Sequence, residues 1–529
     1  MRHAMQGCVT QWSYSSGKTY ADPFNEVVLD LEVTCPDGSV QVVPAFWAGS
    51  QTWTVRYCSS QVGLHRYRTV CSDTGNVDLH DQSGELEVTA CEGDGGLLLH
   101  GAPAVSADGR HFEHADGSPF FWLADTWWMG LCHRLRWPDE FHVLMADRVS
   151  KGFSVIQIVA GLYPDMPYMD ERGANEAGYP WEKSFTRINP AYFDMADLRI
   201  AALVSAGLVP CIVGCWGYFI KWMGVDKMKQ HWRNLVARWG AYPVVWCLAG
   251  EATMPYYLSD TRDADADEQK HGWTQIAGYL RKIDPWRRMI SIHPTTSGRE
   301  QVQDPRLLDF DMLQTGHGDR DSIPNTVQKV TEAYAAQPRM PVINSEVCYE
   351  GIMEASREEV QRFMFWTCVL SGACGHTYGS NGIWQVNRRG APYGPSPHGS
   401  SWGDRPWTEA YQLPGSGELG LAKKLLEQYE WWRLEPHPEW VEPNGLGGNY
   451  RAPYAAGIPD QLIIIYMPGP QAPLVKAIKP GVNYTAFYWD PSTGVRRDLG
   501  TVCAGEDGGW QPPKPTIFRD WVLVIERAG

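Results

Sequence analysis

The chain has 529 residues, 43% of them hydrophobic and 20% charged, the balance of a folded soluble protein with length for about three domains. A net charge of −15 repels phosphate backbones and argues against a nucleic-acid partner, and no run of about 18 apolar residues is present to span a membrane. The 25 tryptophans lean toward carbohydrate, because indole faces stack on the C–H faces of sugars, although the same rings also serve as core filler.

The first hundred residues read as β. EVVLDLEVTC, VQVVPAFWAG, TWTVRYCSS, LHRYRTVCSD and ELEVTACE alternate or cluster β-branched and aromatic residues, and turns such as Pro36-Asp37-Gly38 separate them. This predicts a β-sandwich over residues 1–105. From Pro119 the rhythm changes. FFWLAD reads as a buried strand, and WPDEFHVLMADRVSKG follows with helical spacing and closes on Gly152. VIQIVA, NPAYFDMADLRIAALVSAG, LVPCIVG, a helix through Trp232 to Trp239 and VVWCLAG continue the alternation. Later strands are MISIHP, LLDFDMLQTG, PVINSE and ACGHTYG. Eight strands, apolar throughout and separated by helices, predict a central (β/α)8 TIM barrel over residues 106–434. A doubly wound sheet is the rival, but no GxGxxG follows the first strand. The excursion from Tyr163 to Asn189 is long and aromatic, and its Tyr168, Tyr179 and Trp181 predict an ordered loop over the barrel mouth. GELGLAKKLLEQYEWWRL closes the barrel. QLIIIYMPG, NYTAFYWDPSTG and WVLVIER then predict a small C-terminal β-sandwich over residues 435–529.

The thirteen cysteines are scattered through apolar runs with no paired CxxC, and the N-terminus has no apolar signal core. Both features lead to the expectation of free thiols and a cytoplasmic protein. A homo-oligomer is left open.

In a parallel barrel, chemistry sits at the carboxyl ends of the strands. Glu251 ends the fourth strand and Glu346 the seventh, each a charge after an apolar run where it gains nothing for folding. Strands four and seven face each other across the mouth, so two such carboxylates can flank one bond. One protonates a leaving oxygen while the other attacks the sugar or activates water.

SPFFWLADTWW (Ser118 to Trp128), VVWCLAGEA, PVINSEVCYEG and GHTYGSNGIWQV together resemble the apiosidase-like family of glycoside hydrolases, from about His111 to Arg433. YADPFNEVVLDLEV, VVPAFWAGSQTWTVRY and LHDQSGELEV look like the sandwich that commonly precedes these barrels. The tail resembles the small β domain that commonly follows them. The resemblance implies a barrel glycosidase with Glu346 as nucleophile, in the pattern Glu-x-x-Tyr-Glu, and Glu251 as acid/base. At Glu251 the chain departs from the family. Members often carry Asp after Gly-Gly, and here it is Glu after Ala-Gly. The extra methylene shifts where the proton is delivered and bears on whether the sugar is apiose or another, furanosidic or not.

The expected substrate-binding set follows from position. Asp125 accepts from sugar hydroxyls. One of Trp127 and Trp128 forms a platform, as do Trp216 and Trp384. Tyr349 and Glu350 shape the wall beside the nucleophile, with Tyr349 holding Glu346 ionised. His293, His317, His376 and Tyr378 complete the set. Three histidines at a barrel mouth raise a metal-dependent hydrolase as an alternative. Their separation and the lack of HxH or HExxH argue against it, so no metal and no cofactor is expected. A carbohydrate-binding barrel without activity is a further alternative, opposed by the retention of both glutamates. The expected reaction is retaining and exo-acting, on oligosaccharides or glycoside side chains.

Overall fold

A computed structural model describes residues 1–92, 96–505 and 508–528. The N-terminal domain is a five-stranded sheet facing a three-stranded one. The first has the order Arg2–Met5, Ser83–Thr89, Gly63–Cys71, Leu29–Thr34, Val40–Pro44. The second has the order Thr10–Ser15, Thr52–Tyr57, Phe46–Gly49. Period-two alternation builds the core between them: Leu29, Leu31 and Val33 point inward and meet Trp53, Val55 and Leu86. Gly38, at φ 83°, turns the first hairpin of the larger sheet. The domain sits on the barrel flank through both apolar and polar contacts. Arg56 pairs with Asp197 at 2.5 Å and donates to the Arg238 carbonyl, and Arg233 pairs with Asp30 at 2.7 Å.

The barrel strands are β1 (Trp122–Trp127), β2 (Val155–Val159), β3 (Val209–Val213), β4 (Val245–Cys247), β5 (Ile290–Ser291), β6 (Asp311–Gln314), β7 (Val342–Glu346) and β8 (Gly375–Tyr378), all parallel, in the order β5-β4-β3-β2-β1-β8-β7-β6. The seam between β5 and β6 carries no ladder. Asp309 N donates to the Ile290 carbonyl at 2.8 Å and Ser291 Oγ to the Phe310 carbonyl at 2.7 Å, which nearly closes the barrel. The outer helices are α1 (Asp139–Ser150), α2 (Pro190–Ser205), α3 (Val225–Trp239), α4 (Arg262–Ile283), α5 (Ile323–Ala335), α6 (Glu358–Leu370) and α7 (Pro414–Leu426). Pro190 opens α2 at its first turn, where a missing N–H is harmless. Gly152 and Gly207, both with positive φ, follow α1 and α2 as read from the sequence.

The C-terminal domain is a six-stranded sheet backed by a two-stranded ribbon, Val441–Glu442 with Leu474–Val475. Along Leu462–Met467 the side chains alternate between two cores. Leu462, Ile464 and Tyr466 join the barrel core, where Tyr466 stacks on Trp366 of α6. Ile463, Ile465 and Met467 face the domain's own interior. A buried ion cluster, Arg362 of α6 with Asp520 and Glu418, pins the same interface.

The loop expected over the mouth lies elsewhere for most of its length. Trp181 is buried, donates to His231 of α3 and packs on Phe24 of the N-terminal domain. Tyr168 donates to the Trp181 carbonyl and stacks beside Phe185. Burial of these rings draws the segment onto the barrel flank, and only its start, at Pro164 and Asp165, reaches the mouth.

Candidate active site

A cavity of about 350 Å³ opens at the carboxyl ends of the strands. Glu251 and Glu346 both line it, with Trp128, Trp216, His317, Tyr349 and Trp384 from the expected set. Gln314, at the end of β6, ties the two carboxylates together. Its Nε2 donates to Glu251 Oε1 at 3.1 Å and to Glu346 Oε1 at 3.3 Å. Those two oxygens can lie no farther apart than the two bonds laid end to end.

Local backbone irregularity aims both glutamates. Glu251 has φ 41°, in the left-handed region that a non-glycine residue adopts at a cost, and so leaves the strand direction at the end of β4. Gly250 before it is required by packing, since a Cβ there would meet the Trp216 ring at 2.2 Å. Trp216 Nε1 in turn donates to Glu251 Oε2 at 3.2 Å. In β7 the register to β6 skips Ser345: Leu313 pairs with Asn344, then Gln314 with Glu346. Leu313 and Asn344 face the helices, toward Cys368 of α6. The extra residue turns Glu346 back to the cavity.

The two carboxyls are driven in opposite directions. Burial raises Glu251, the charge of Glu346 adds to it, and together they push it up to about 7. Burial would raise Glu346 as well, but His293 and His317 outweigh it and hold the group well below the usual carboxylate range. His317 Nε2 lies 2.8 Å from Glu346 Oε1 in a hydrogen bond. His293 Nε2 lies 3.3 Å from Oε2 on the other side of the carboxyl. Tyr349 accepts from Trp128 Nε1 at 3.0 Å and leans on the His317 ring. Burial and the Glu346 charge push its hydroxyl well above the ordinary value, so it remains a donor.

The remaining expected residues lie outside the cavity. Asp125 is 0% exposed and points to the helix layer. It accepts from Arg148 of α1 at 2.6 Å and from Trp127 Nε1 at 2.7 Å, and Trp127 packs on Phe141 of α1. His376 packs on Phe365 of α6, where burial takes it down to about 3. Tyr378 donates to Glu350 Oε2 at 2.5 Å, and Gly415 N donates to Glu350 Oε1 at 3.1 Å, behind the wall. Strand parity explains the four on β1 and β8. In β1, Trp122 and Thr126 face inward while Asp125 and Trp127 face outward. In β8, Thr377 faces inward, bonded to Gln157, while His376 and Tyr378 face outward. His376 therefore does not join His293 and His317 beside Glu346.

Several lining residues had no signal in the sequence reading. Gln314 ends a strand like His293 does, but a neutral amide drew no notice. Asp165, Tyr257, His398 and Trp402 come from loops that fold over the mouth, and Arg262 opens α4.

Residues 106–433 match the model of the family described as apiosidase-like, catalytic domain. The chain belongs to the apiosidase-like family. It is a glycoside hydrolase, with a carbohydrate as substrate. Residues 8–72 match a domain of unknown function, DUF5060. No curated protein matches the chain. A solved glycoside hydrolase is 24% identical, with a TM-score of 0.68, over 81% of this chain and 97% of its own. A glycoside hydrolase family 5 protein from Bacteroides vulgatus ATCC 8482 is 23% identical, with a TM-score of 0.68, over 81% and 93%. A second protein from that organism, provisionally named a glycoside hydrolase, is 16% identical, with a TM-score of 0.73, over 100% of both chains. The last likeness extends the shared fold to both flanking domains.

Proposed function

We propose that this apiosidase-like enzyme works by retention, with Glu346 as nucleophile and Glu251 as acid/base, and releases one terminal sugar at a time. The observation that carries the reading is the single Gln314 amide held between two carboxyls of opposite character. Retaining enzymes hold their carboxyl groups about 5–5.5 Å apart and inverting ones ~6.5–9.5 Å. Two oxygens sharing one donor favour the closer class. Glu346, ionised by its histidines, attacks the anomeric carbon. Glu251, protonated near neutrality, gives its proton to the departing oxygen and then takes one from the water that resolves the glycosyl-enzyme. Trp128, Trp216 and Trp384 supply flat apolar walls for the ring.

Exo action is supported by the shape of the mouth. Pro164, Asp165, Tyr257, His398 and Trp402 wall a volume near the lower end for ligand pockets. The support differs from the sequence expectation. No lining residue comes from the N-terminal domain, and Tyr168, Tyr179 and Trp181 take no part. Proton NMR of the first product released from an end-labelled oligosaccharide tests both statements. Retained configuration and immediate monosaccharide are expected. An inverted anomer refutes the nucleophile role, and mid-length fragments ahead of monosaccharide refute exo action.

A further inference from the structure

Asp165 is a carboxylate for which stability gives no reason. It is 5% exposed and lines the same cavity as Glu251 and Glu346. Among the described residues no lysine, arginine or histidine forms an ion pair with it; Arg172 donates to its backbone carbonyl at 3.3 Å and is felt by the carboxylate only as a more distant charge. Asp125, buried as deeply, has Arg148. A buried carboxylate without a paired cation is costly, and a backbone φ of 58° adds strain at the same residue.

The partners Asp165 does have are neutral donors. Trp402 Nε1 donates to Oδ2 at 3.2 Å. Tyr257 stands beside it, its hydroxyl kept protonated by burial first and by the Asp165 charge second. An ionised carboxylate has about four acceptor positions. Two neutral donors leave the others facing the cavity, where sugar hydroxyls are the donors a glycosidase substrate brings. The charge balance narrows the ligand further. Glu346 and Asp165 put two carboxylates on one small cavity beside the protonated Glu251 carboxyl, and Arg262 is the one lysine or arginine among its lining residues. Arg262 Nη1 already lies 3.4 and 3.5 Å from the carbonyls of Tyr256 and Tyr257.

We propose that Asp165 is a specificity-determining residue that reads hydroxyl groups of an uncharged terminal sugar, with Trp402 and Tyr257 fixing its carboxylate, and that the cavity rejects uronic acids. The proposal rests on the single-sugar pocket described above. The test uses the full-length protein and 4-nitrophenyl glycosides of neutral pentoses and hexoses, their monodeoxy analogues and the matching uronides. Asp165→Asn keeps the size of the side chain and removes the charge. It should lower kcat/KM on the best neutral glycoside about 10- to 100-fold, mainly through KM, as expected for a hydrogen bond to a charged group. On the monodeoxy analogue lacking the hydroxyl that Asp165 reads, wild type and variant should be equal. An unchanged kcat/KM in Asp165→Asn, or the same loss on every analogue, overturns the proposal. So does a wild-type preference for a uronide, or failure of the wild type to bind or cleave any neutral sugar. The two readings fail separately. Mid-length fragments with the Asp165 discrimination intact remove exo action alone. Terminal release without any Asp165 effect removes this assignment alone.

Discussion

Two carboxylate clusters occupy the same end of the barrel and behave as opposites. Asp125 and Glu350 lie behind the strands. Asp125 is paired with a buried arginine, and Glu350 is closed off by Tyr378 and Gly415 N, with no open acceptor toward the mouth. Glu251 and Glu346 lie in front, sharing one amide, with histidines on one member and tryptophan on the other. Both clusters are buried, and both contain a glutamate raised to about 7. Burial and a shifted carboxyl therefore do not mark the reactive pair. What marks it is the face of the strand, together with a free path to the cavity.

The sharpest way to break this comparison is to neutralise one member of each cluster. Glu251→Gln should lower turnover about 10²- to 10⁴-fold, the range of general acid–base help, and Glu346→Gln at least as much, with urea midpoints close to wild type. Asp125→Asn should do the reverse. It takes one of two carboxylate partners from fully buried Arg148, which keeps Asp147, and should cost about 1–3 kcal/mol in urea unfolding, while the folded fraction keeps its kcat. A stable but inactive Asp125→Asn would erase the distinction between the two faces.

The pH profile sharpens it next. Glu251 must carry a proton to act as acid, so kcat/KM should fall as pH rises through about 7. Glu346 must be ionised and is held well below its ordinary value, so no acid limb should appear near 4 to 5, where an unperturbed glutamate titrates. A bell centred near pH 5 with both limbs at ordinary carboxylate values would contradict the opposed electrostatics. The smallest effect is expected at Glu350. Glu350→Gln replaces a carboxyl that burial has already raised to about 7, and it should change kcat less than tenfold at pH 6. A loss as large as that of Glu251→Gln would move Glu350 into the reacting set.

The barrel was readable because its strands are apolar on both faces, a pattern that few other arrangements explain. Glu251 and Glu346 were readable because a charge directly after such a strand has no folding role. The error at Asp125 and Trp127 has a simple source. Adjacent residues in a strand point to opposite sides, so Trp127 and Trp128 could never share a cavity, and one parity step from inward-facing Trp122 places Asp125 among the helices. For Glu346 plain parity would have misled, because the skipped Ser345 reverses it. Asp165, Tyr257 and Trp402 were out of reach for another reason. They meet only through loop paths that carry no periodicity, and Trp402 is 237 residues away from Asp165.

The strand Leu462–Met467 has a consequence for how the protein can be divided. It gives every second side chain to the barrel, so the groove between the two is a shared interior and not a boundary. A gene truncated after Leu434 would not release a trimmed enzyme. It would bare Phe363 and Trp366 of α6 to water and leave Arg362 without Asp520. At the other end the N-terminal domain shares no such strand with the barrel and meets it through the Arg56 and Arg233 pairs and the Phe24–Trp181 contact. By sequence there are three modules, but in terms of what can be cut away the barrel and its C-terminal sheet are one piece.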